Sequence, residues 1–449
     1  MKICILTYPL HSNFGYLMQA YALQRVLMYM GYEVCTIDIR KNTISFLSRI
    51  KYFLFSVVKK YVLNKDIDPF RHWPNQREQM IMDLHTWDFI RNHLCLTKRV
   101  YSYRDLKIIG EQYDFYIVGS DQVWRKDYIP DVKLYYFDFL PVYKPRISYA
   151  ASFGKSEINY SDIEVKRCAK LLTLFRAVSV REKEGVMLCN KYFNRKSVQV
   201  LDPTLLLDKL DYDKIIDKNE IDSRIPTSNY VLVYLLDPNN YKLKVINDFV
   251  KERGLDIYSV TVPDYGVRGR CNIRDCIFPS ISTWLTLFKH ADYIFTDSFH
   301  GSVFSIIYQK NFYVFDNKDR GSSRITSLLT MFALDEHLIS DKYRIDKNLV
   351  VDYCKVNNIM QDKKKCSLLF IQNSIDGILP CYSKYLIFIY IVGMVLNIAL
   401  AKSLMLIIPT IFEILVVLLF VLKGNLKKAV FLHLVFMVLC FDVTTGLGN

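Results

Sequence analysis

Four short strings in this sequence follow apolar runs and carry side chains suited to anion and proton chemistry. Asn13-Phe14-Gly15 opens a helix after the run Ile3 to Leu6, and the free backbone N–H groups of such a start bind anions. Gly119-Ser120-Asp121 follows Phe115 to Val118, which puts small and polar residues where open α/β sheets hold ligands. Arg181 follows Ala177 to Val180 and offers a planar guanidinium for bidentate capture of a carboxylate or phosphate. The fourth string is Thr296-Asp297-Ser298-Phe299-His300-Gly301. His300 suits general-acid work because an ordinary imidazole pKa of about 6.5 lies near working pH. Asp121 and Asp297 would orient that imidazole. Each residue also has a plainer reading. His300 before a glycine can be a structural cap, Arg181 can pair with Glu182, Asp121 can cap a helix, and Asn13 and Gly15 can simply shape their loop.

The elements that would position these residues alternate along the chain. Strand, loop, helix and strand over 1–40 form a βαβ unit whose first loop lacks the GxGxxG pattern of a dinucleotide site. Residues 44–105 read as helical and basic-aromatic, and strands follow at Phe115 to Val118, Arg146 to Ala150, Ala177 to Val180 and Val198 to Leu201. The alternation restarts at Tyr230, with strands at Tyr230 to Leu235, Asp256 to Val260, Tyr293 to Phe295 and Phe312 to Phe315. Alternating strands and helices imply parallel sheets. The predicted fold class is therefore α/β, with two Rossmann-like domains, 1–205 and 228–335, facing a cleft. Residues 336–380 read as a helical return and a linker rich in lysine at Lys363, Lys364 and Lys365.

Composition removes several other classes. At 449 residues the chain has room for two domains and an extra segment, since a typical domain runs to about 150. A hydrophobic fraction of 51% excludes a disordered chain, and only 16 Gly and 13 Pro exclude collagen-like and linker-rich architectures. The 11 cysteines are scattered and form no CxxC pair, so they read as reduced buried thiols, and no metal site is expected. The formal charge of +14 is diffuse, without a nucleic-acid-binding signature, so no nucleic-acid partner is expected.

The C-terminal part is of another kind. Tyr385 to Ala401 carries no charge, Ser403 to Leu422 carries only Glu413, and Ala429 to Phe441 follows the basic loop Lys423 to Lys428. Two of these runs approach the ~20 residues that span a bilayer, and the third is marginal. Residues 385–441 are thus expected to form a C-terminal hydrophobic membrane segment of two spans, with a third at the limit. Lys384 and the 423–428 loop place the soluble part on the cytoplasmic face of the inner membrane.

The chain resembles the polysaccharide pyruvyl transferase family. Collinear strings over residues 1 to 335 carry the resemblance. They are Asn13-Phe14-Gly15 with Gln19 to Gln24, Gly119 to Trp124, Tyr149 to Gly154, Val178 to Glu182, Asp202-Pro203-Thr204, Thr296 to Gly301, and the segment around Arg324. The family is similar in fold to GT-B glycosyltransferases and transfers pyruvate from phosphoenolpyruvate to sugar hydroxyls as a ketal. The resemblance therefore implies phosphoenolpyruvate as donor substrate, no cofactor, and a sugar or lipid-linked oligosaccharide acceptor in capsule or exopolysaccharide biosynthesis. It implies His300, Asp297 and Asp121 as catalytic residues. It implies Arg181, Arg320, Arg324, Ser298, Asn13, Gly15, Gly119 and Ser120 as substrate-binding residues. Better-known members carry Arg-Leu-His where this chain has Ser298-Phe299-His300, and Arg320 or Arg324 would have to supply the missing charge. The tail falls outside the family pattern and looks like the opening spans of a polytopic membrane protein such as an O-antigen polymerase, as a gene fusion or read-through would leave. Two alternatives stand beside this reading. One is a GT-B-type glycosyltransferase using a nucleotide sugar, which would need a ribose-binding carboxylate near the second domain's strands; the other is a non-catalytic membrane-anchored binding protein.

Overall fold

A computed structural model describes residues 1–377 apart from 40–45, 64–67, 130, 223–224, 227, 261, 264, 267–270, 318–319, 340–345 and 347. The expected spans over 385–441 lie outside the described residues, among which no helix is long and apolar enough to cross a membrane. Met1–Leu368 form one compact unit, and the chain divides from a second at Leu369.

The first unit is built on two all-parallel sheets. The chain begins with β1 (Lys2–Leu6), α1 (Phe14–Tyr29), β2 (Glu33–Thr36), α2 (Phe46–Tyr61), α3 (Gln76–Met82), α4 (Leu84–His93) and α5 (Tyr103–Gln112). It continues through β3 (Phe115–Val118), β4 (Arg146–Ala151), α6 (Asp162–Leu172), β5 (Ala177–Val180), α7 (Lys183–Phe193) and β6 (Val198–Gln199). The six strands run in the order β2-β1-β3-β4-β5-β6. β1, β3, β4 and β5 are buried along nearly their whole length, as strands covered by helices on both faces must be. Trp124 is wholly buried among them, stacked on Tyr136 at 5.0 Å with its indole N–H donated to the Tyr135 carbonyl, so its role is packing.

After α8 (Lys209–Asp213) the second sheet is formed by β7 (Tyr230–Tyr234), α9 (Asn240–Arg253), β8 (Asp256–Ser259), α10 (Ile281–His290) and β9 (Tyr293–Thr296). It is completed by α11 (Phe299–Ile307), β10 (Asn311–Phe315), α12 (Ser322–Met331) and β11 (Leu338–Ile339), in the order β11-β10-β9-β7-β8. The expected pair of parallel α/β sheets is present. One local reading changes: Lys363, Lys364 and Lys365 sit inside α13 (Tyr353–Asp376) rather than in a linker, because no glycine or proline interrupts the chain from Tyr353 to Asp376.

Both strand orders contain a reversal. In the first sheet, β1 has β2 on one side and β3 on the other; in the second, β7 lies between β8 and β9. The loops leaving two such neighbours diverge to opposite faces and open a crevice at the carboxyl ends of the strands. The loops after β1, β3, β7 and β9 carry most of the residues of interest.

Candidate functional site

A cavity of about 460 Å³ opens at these two reversals, and its lining draws on both sheets. From the first sheet come Tyr8, His11, Asn13, Gly15 and Tyr16, then Asp121, Gln122 and Tyr128. From the second come Tyr234, Leu236 and Asp237, then Ser298, Phe299 and His300, and finally Arg320 and Arg324.

Asn13 caps α1: its side-chain oxygen accepts the Tyr16 N–H at 3.1 Å, which starts the helix at Phe14. Gly15, in the same first turn, has a stricter task. A Cβ there would stand 2.2 Å from Nδ1 of His300, so the imidazole is seated against bare backbone. Gly15→Ala is therefore expected to push the ring aside. A displacement of about 1 Å can cost roughly 10²-fold in turnover, and a loss of that order, with an unchanged melting temperature, is the expected result of steady-state assays.

His300 sits in the first turn of α11, whose N-cap is Ser298; the Ser298 hydroxyl accepts the Gly301 N–H at 3.3 Å. The imidazole is 6% exposed, and its Nε2 has no hydrogen-bond partner. The nearest acid across the crevice is Asp202, whose Oδ2 is 3.8 Å away, beyond hydrogen-bond reach. Burial pushes the His300 pKa down; Asp202 and Asp121 pull it up, while Arg181 and Arg324 push it further down. The net direction is down from the ordinary value of about 6.5, which favours the neutral imidazole at pH 7.

Asp202 is the junction of this cluster. Its Oδ2 accepts from Arg181 Nη1 and Ser120 Oγ, both at 2.8 Å, and its Oδ1 accepts from Thr204 N and Oγ1. Burial alone would raise its pKa, but His300, Arg181 and the donated bonds hold it at about 2. That direction stands on Arg181 and Thr204 whichever state the imidazole adopts.

Arg181 directly follows β5, as expected, but it is not part of the main cavity's lining. It is 4% exposed, lies 4.0 Å over the Phe299 ring, and sits among Asp202, Asp121 (3.5 Å) and Glu182 (3.9 Å). Burial works against its charge, and the three carboxylates more than offset it. Arg324 differs. It stands at the start of α12, donates one N–H to the Arg320 carbonyl at 2.7 Å, and leaves Nε without a partner. Burial and the nearby Arg181 charge push its pKa down to about 10, so it is a cation held without enough negative charge around it. Arg320 also lines the cavity but is engaged by both oxygens of Asp237.

The loop ahead of Arg324 approaches the first sheet closely. Gly321 has φ +101°, and a Cβ there would meet the Gly154 carbonyl oxygen, so only glycine fits. Asp121 is also at positive φ (75°), in an isolated parallel bridge to Ala151 rather than at a helix cap; its Oδ1 accepts the Gln122 N–H, and Oδ2 has no hydrogen-bond partner. A non-glycine residue in that region stores strain, a feature that clusters at ligand sites.

Of the expected site residues, Asn13, Gly15, Asp121, Ser298, His300, Arg320 and Arg324 share the cavity lining. Four stand behind it. Gly119 packs against Ile5, Leu23 and Thr7, and Ser120 supports Asp202. Arg181 is buried in its carboxylate cluster, and Asp297 accepts from Lys242 (2.7 Å) and from the backbone N–H groups of Leu236 and Asp237. Asp297 thus clamps the β7 loop onto the end of β9. Sequence reasoning gave no site role to Asp202 or to the aromatic wall of Tyr8, Tyr16 and Tyr128. The signal for Asp202 was its place in the Asp-Pro-Thr string. Tyr8 and Tyr16 flank the first loop with rings 4.8 Å apart, and the Tyr8 hydroxyl donates to the Tyr128 carbonyl at 2.6 Å.

A family model described as polysaccharide pyruvyl transferase matches residues 13–319. No curated protein matches the chain. Solved structures are similar only at a distance. UDP-GlcNAc 2-epimerase from Methanocaldococcus jannaschii is 13% identical, with 80% of this chain and 92% of that one covered and a TM-score of 0.43. The S. aureus MnaA–UDP structure is 12% identical over 80% of this chain and 87% of its own, with a TM-score of 0.40. An alpha-glucosyltransferase in complex with UDP is 9% identical over 82% and 91%, with a TM-score of 0.38.

Proposed function

The chain belongs to the polysaccharide pyruvyl transferase family, and on that premise we propose that it moves pyruvate from phosphoenolpyruvate onto two hydroxyls of a surface-polysaccharide precursor, forming a ketal. One observation carries the reading: a buried imidazole and a buried guanidinium, each with an unpartnered ring or side-chain nitrogen, line the same cavity. The donor needs both, a proton source for its methylene carbon and a cation for its negative groups.

Protonated His300 gives its proton to the methylene carbon, which becomes the methyl group, and positive charge develops at the adjacent carbon. A sugar hydroxyl bonds to that carbon, and the carbon–oxygen bond to phosphate breaks. A second hydroxyl closes the ketal. Of the two hydroxyl protons, one returns to the imidazole and one leaves with hydrogen phosphate. Arg324 takes the donor's phosphate or carboxylate, and Arg320, already balanced by Asp237, takes a lesser part. These two cations line the same cavity as Ser298, the residue at the arginine position of the family's Arg-Leu-His string. The aromatic wall of Tyr8, Tyr16 and Tyr128 suits a sugar face.

The test uses the full chain with phosphoenolpyruvate and a lipid-linked oligosaccharide pool. Phosphate release coupled to a pyruvate ketal on the oligosaccharide supports the reading. Release without a modified acceptor, or turnover only with a nucleotide sugar, would sink it.

We place the reaction at the cytoplasmic face of the inner membrane, with residues 385–441 as the anchor. The full chain is expected to stay in the membrane pellet through alkaline and high-salt washes. Extraction by salt alone would mean attachment by charge, which is screened beyond about 10 Å at 0.1 M.

A further inference from the structure

Helix α2 presents its apolar side to water. Ile50, Leu54, Val58 and Tyr61 fall at spacings of four, four and three, one stripe of an α-helix, and are 39%, 58%, 51% and 67% exposed. The opposite side is the one that packs. Ser56 is 1% exposed, and the Tyr52 ring meets the Trp73 ring edge-on at 5.2 Å. Single exposed apolar residues are ordinary, whereas a continuous stripe of them marks an interaction surface.

Charge identifies the occupant. Between Phe46 and Leu63 there are four cations, Arg49, Lys51, Lys59 and Lys60, and no carboxylate. On a helical wheel, Lys51 borders one edge of the stripe, and Val57 and Phe53 extend the other edge to Lys60 and Arg49, so the apolar face itself is uncharged. Lys59 reaches back over the Phe55 ring, with Nζ 4.2 Å from its centroid. An apolar stripe edged by basic residues is the pattern of a helix lying in the plane of an anionic bilayer surface. A second copy of this chain would bring the same cations onto these. Residues 378–449 are no better matched, with five lysines against two carboxylates.

We propose that α2 is a membrane-docking helix that seats its Ile50–Leu54–Val58–Tyr61 stripe among the acyl chains of an anionic leaflet. The proposal goes beyond the catalytic reading and does not depend on it.

The test uses the full chain in nanodiscs of phosphatidylcholine with or without phosphatidylglycerol, carrying a benzophenone photocrosslinker in place of Leu54. Lipid adducts are expected, several-fold more abundant with phosphatidylglycerol. The backbone amides of 46–63 should exchange more slowly in the anionic discs than in the neutral ones. Val58→Asp, at an exposed position, should keep the melting temperature while losing both signals. Adducts to residues 378–449 or to a second copy would overturn the proposal. So would lipid adducts that are equal in the two disc types, or that Val58→Asp leaves unchanged.

Discussion

His300→Gln is expected to lower donor-dependent phosphate release by roughly 10²–10⁴-fold, the usual contribution of a positioned general acid. The fold should survive, because the imidazole makes no hydrogen bond at Nε2 and only approaches Asp202. The pH dependence supplies a signature that a merely structural histidine would lack. Burial lowers the His300 pKa, so in the free enzyme the protonated form required for donation is lost as pH rises through a value below the ordinary 6.5. A bound donor brings negative charge beside the ring and raises that pKa. The falling limb of kcat/KM should therefore lie at lower pH than the falling limb of kcat. His300→Gln should abolish the separation. A variant that releases phosphate at the wild-type rate would remove His300 from the chemistry.

The fold was more legible than the site, and particular residues explain why. β1 was readable because Ile3 to Leu6 is an unbroken apolar run, which a strand buried on both faces requires. Helix α1 starts at Phe14, three residues before its apolar periodicity begins at Leu17, because the Asn13 cap and not the periodicity sets the first turn. Residues 44–105 gave no sharp motif, and α2 shows the reason: its apolar stripe points outward, so periodicity marks a helix but misleads about which face is buried. At the site, the strand-end strings located the backbone of every expected residue but not the direction of its side chain. Arg181 and Arg324 look alike in sequence, and only the fold separates a guanidinium caged by carboxylates from one facing a cavity. Asp202 bonds Arg181 and Ser120 and faces His300, the last 98 positions away, a convergence that no local spacing encodes.

That separation gives the two arginines opposite expected phenotypes. Arg324 is held in a setting that disfavours its charge, with a pKa pushed down to about 10 by burial and by Arg181. Its removal relieves that repulsion and forfeits one bond to the Arg320 carbonyl, so Arg324→Ala should change stability by about 1 kcal/mol or less. An anionic donor, however, would find in it a desolvated cation with an unused N–H. Losing such a contact costs on the order of 2–5 kcal/mol of binding. Arg324→Lys should restore only part of this, because the planar fork is gone. For Arg181 the surroundings favour the charge: Asp121, Asp202 and Glu182 converge on a guanidinium that is 4% exposed. Arg181→Ala leaves three buried carboxylates without their cation and is expected to cost about 3–5 kcal/mol of folding stability. The Asp202 carboxylate that faces His300 would lose its anchor as well. Denaturant unfolding paired with calorimetric titration of phosphoenolpyruvate distinguishes the cases. Arg324→Ala should fall in affinity alone, and Arg181→Ala in stability first. If Arg324→Ala binds the donor as tightly as the parent, the anion is held elsewhere. If Arg181→Ala unfolds like the parent yet binds the donor poorly, its guanidinium leaves the carboxylate cage to meet the substrate, and its structural assignment would have to be reversed.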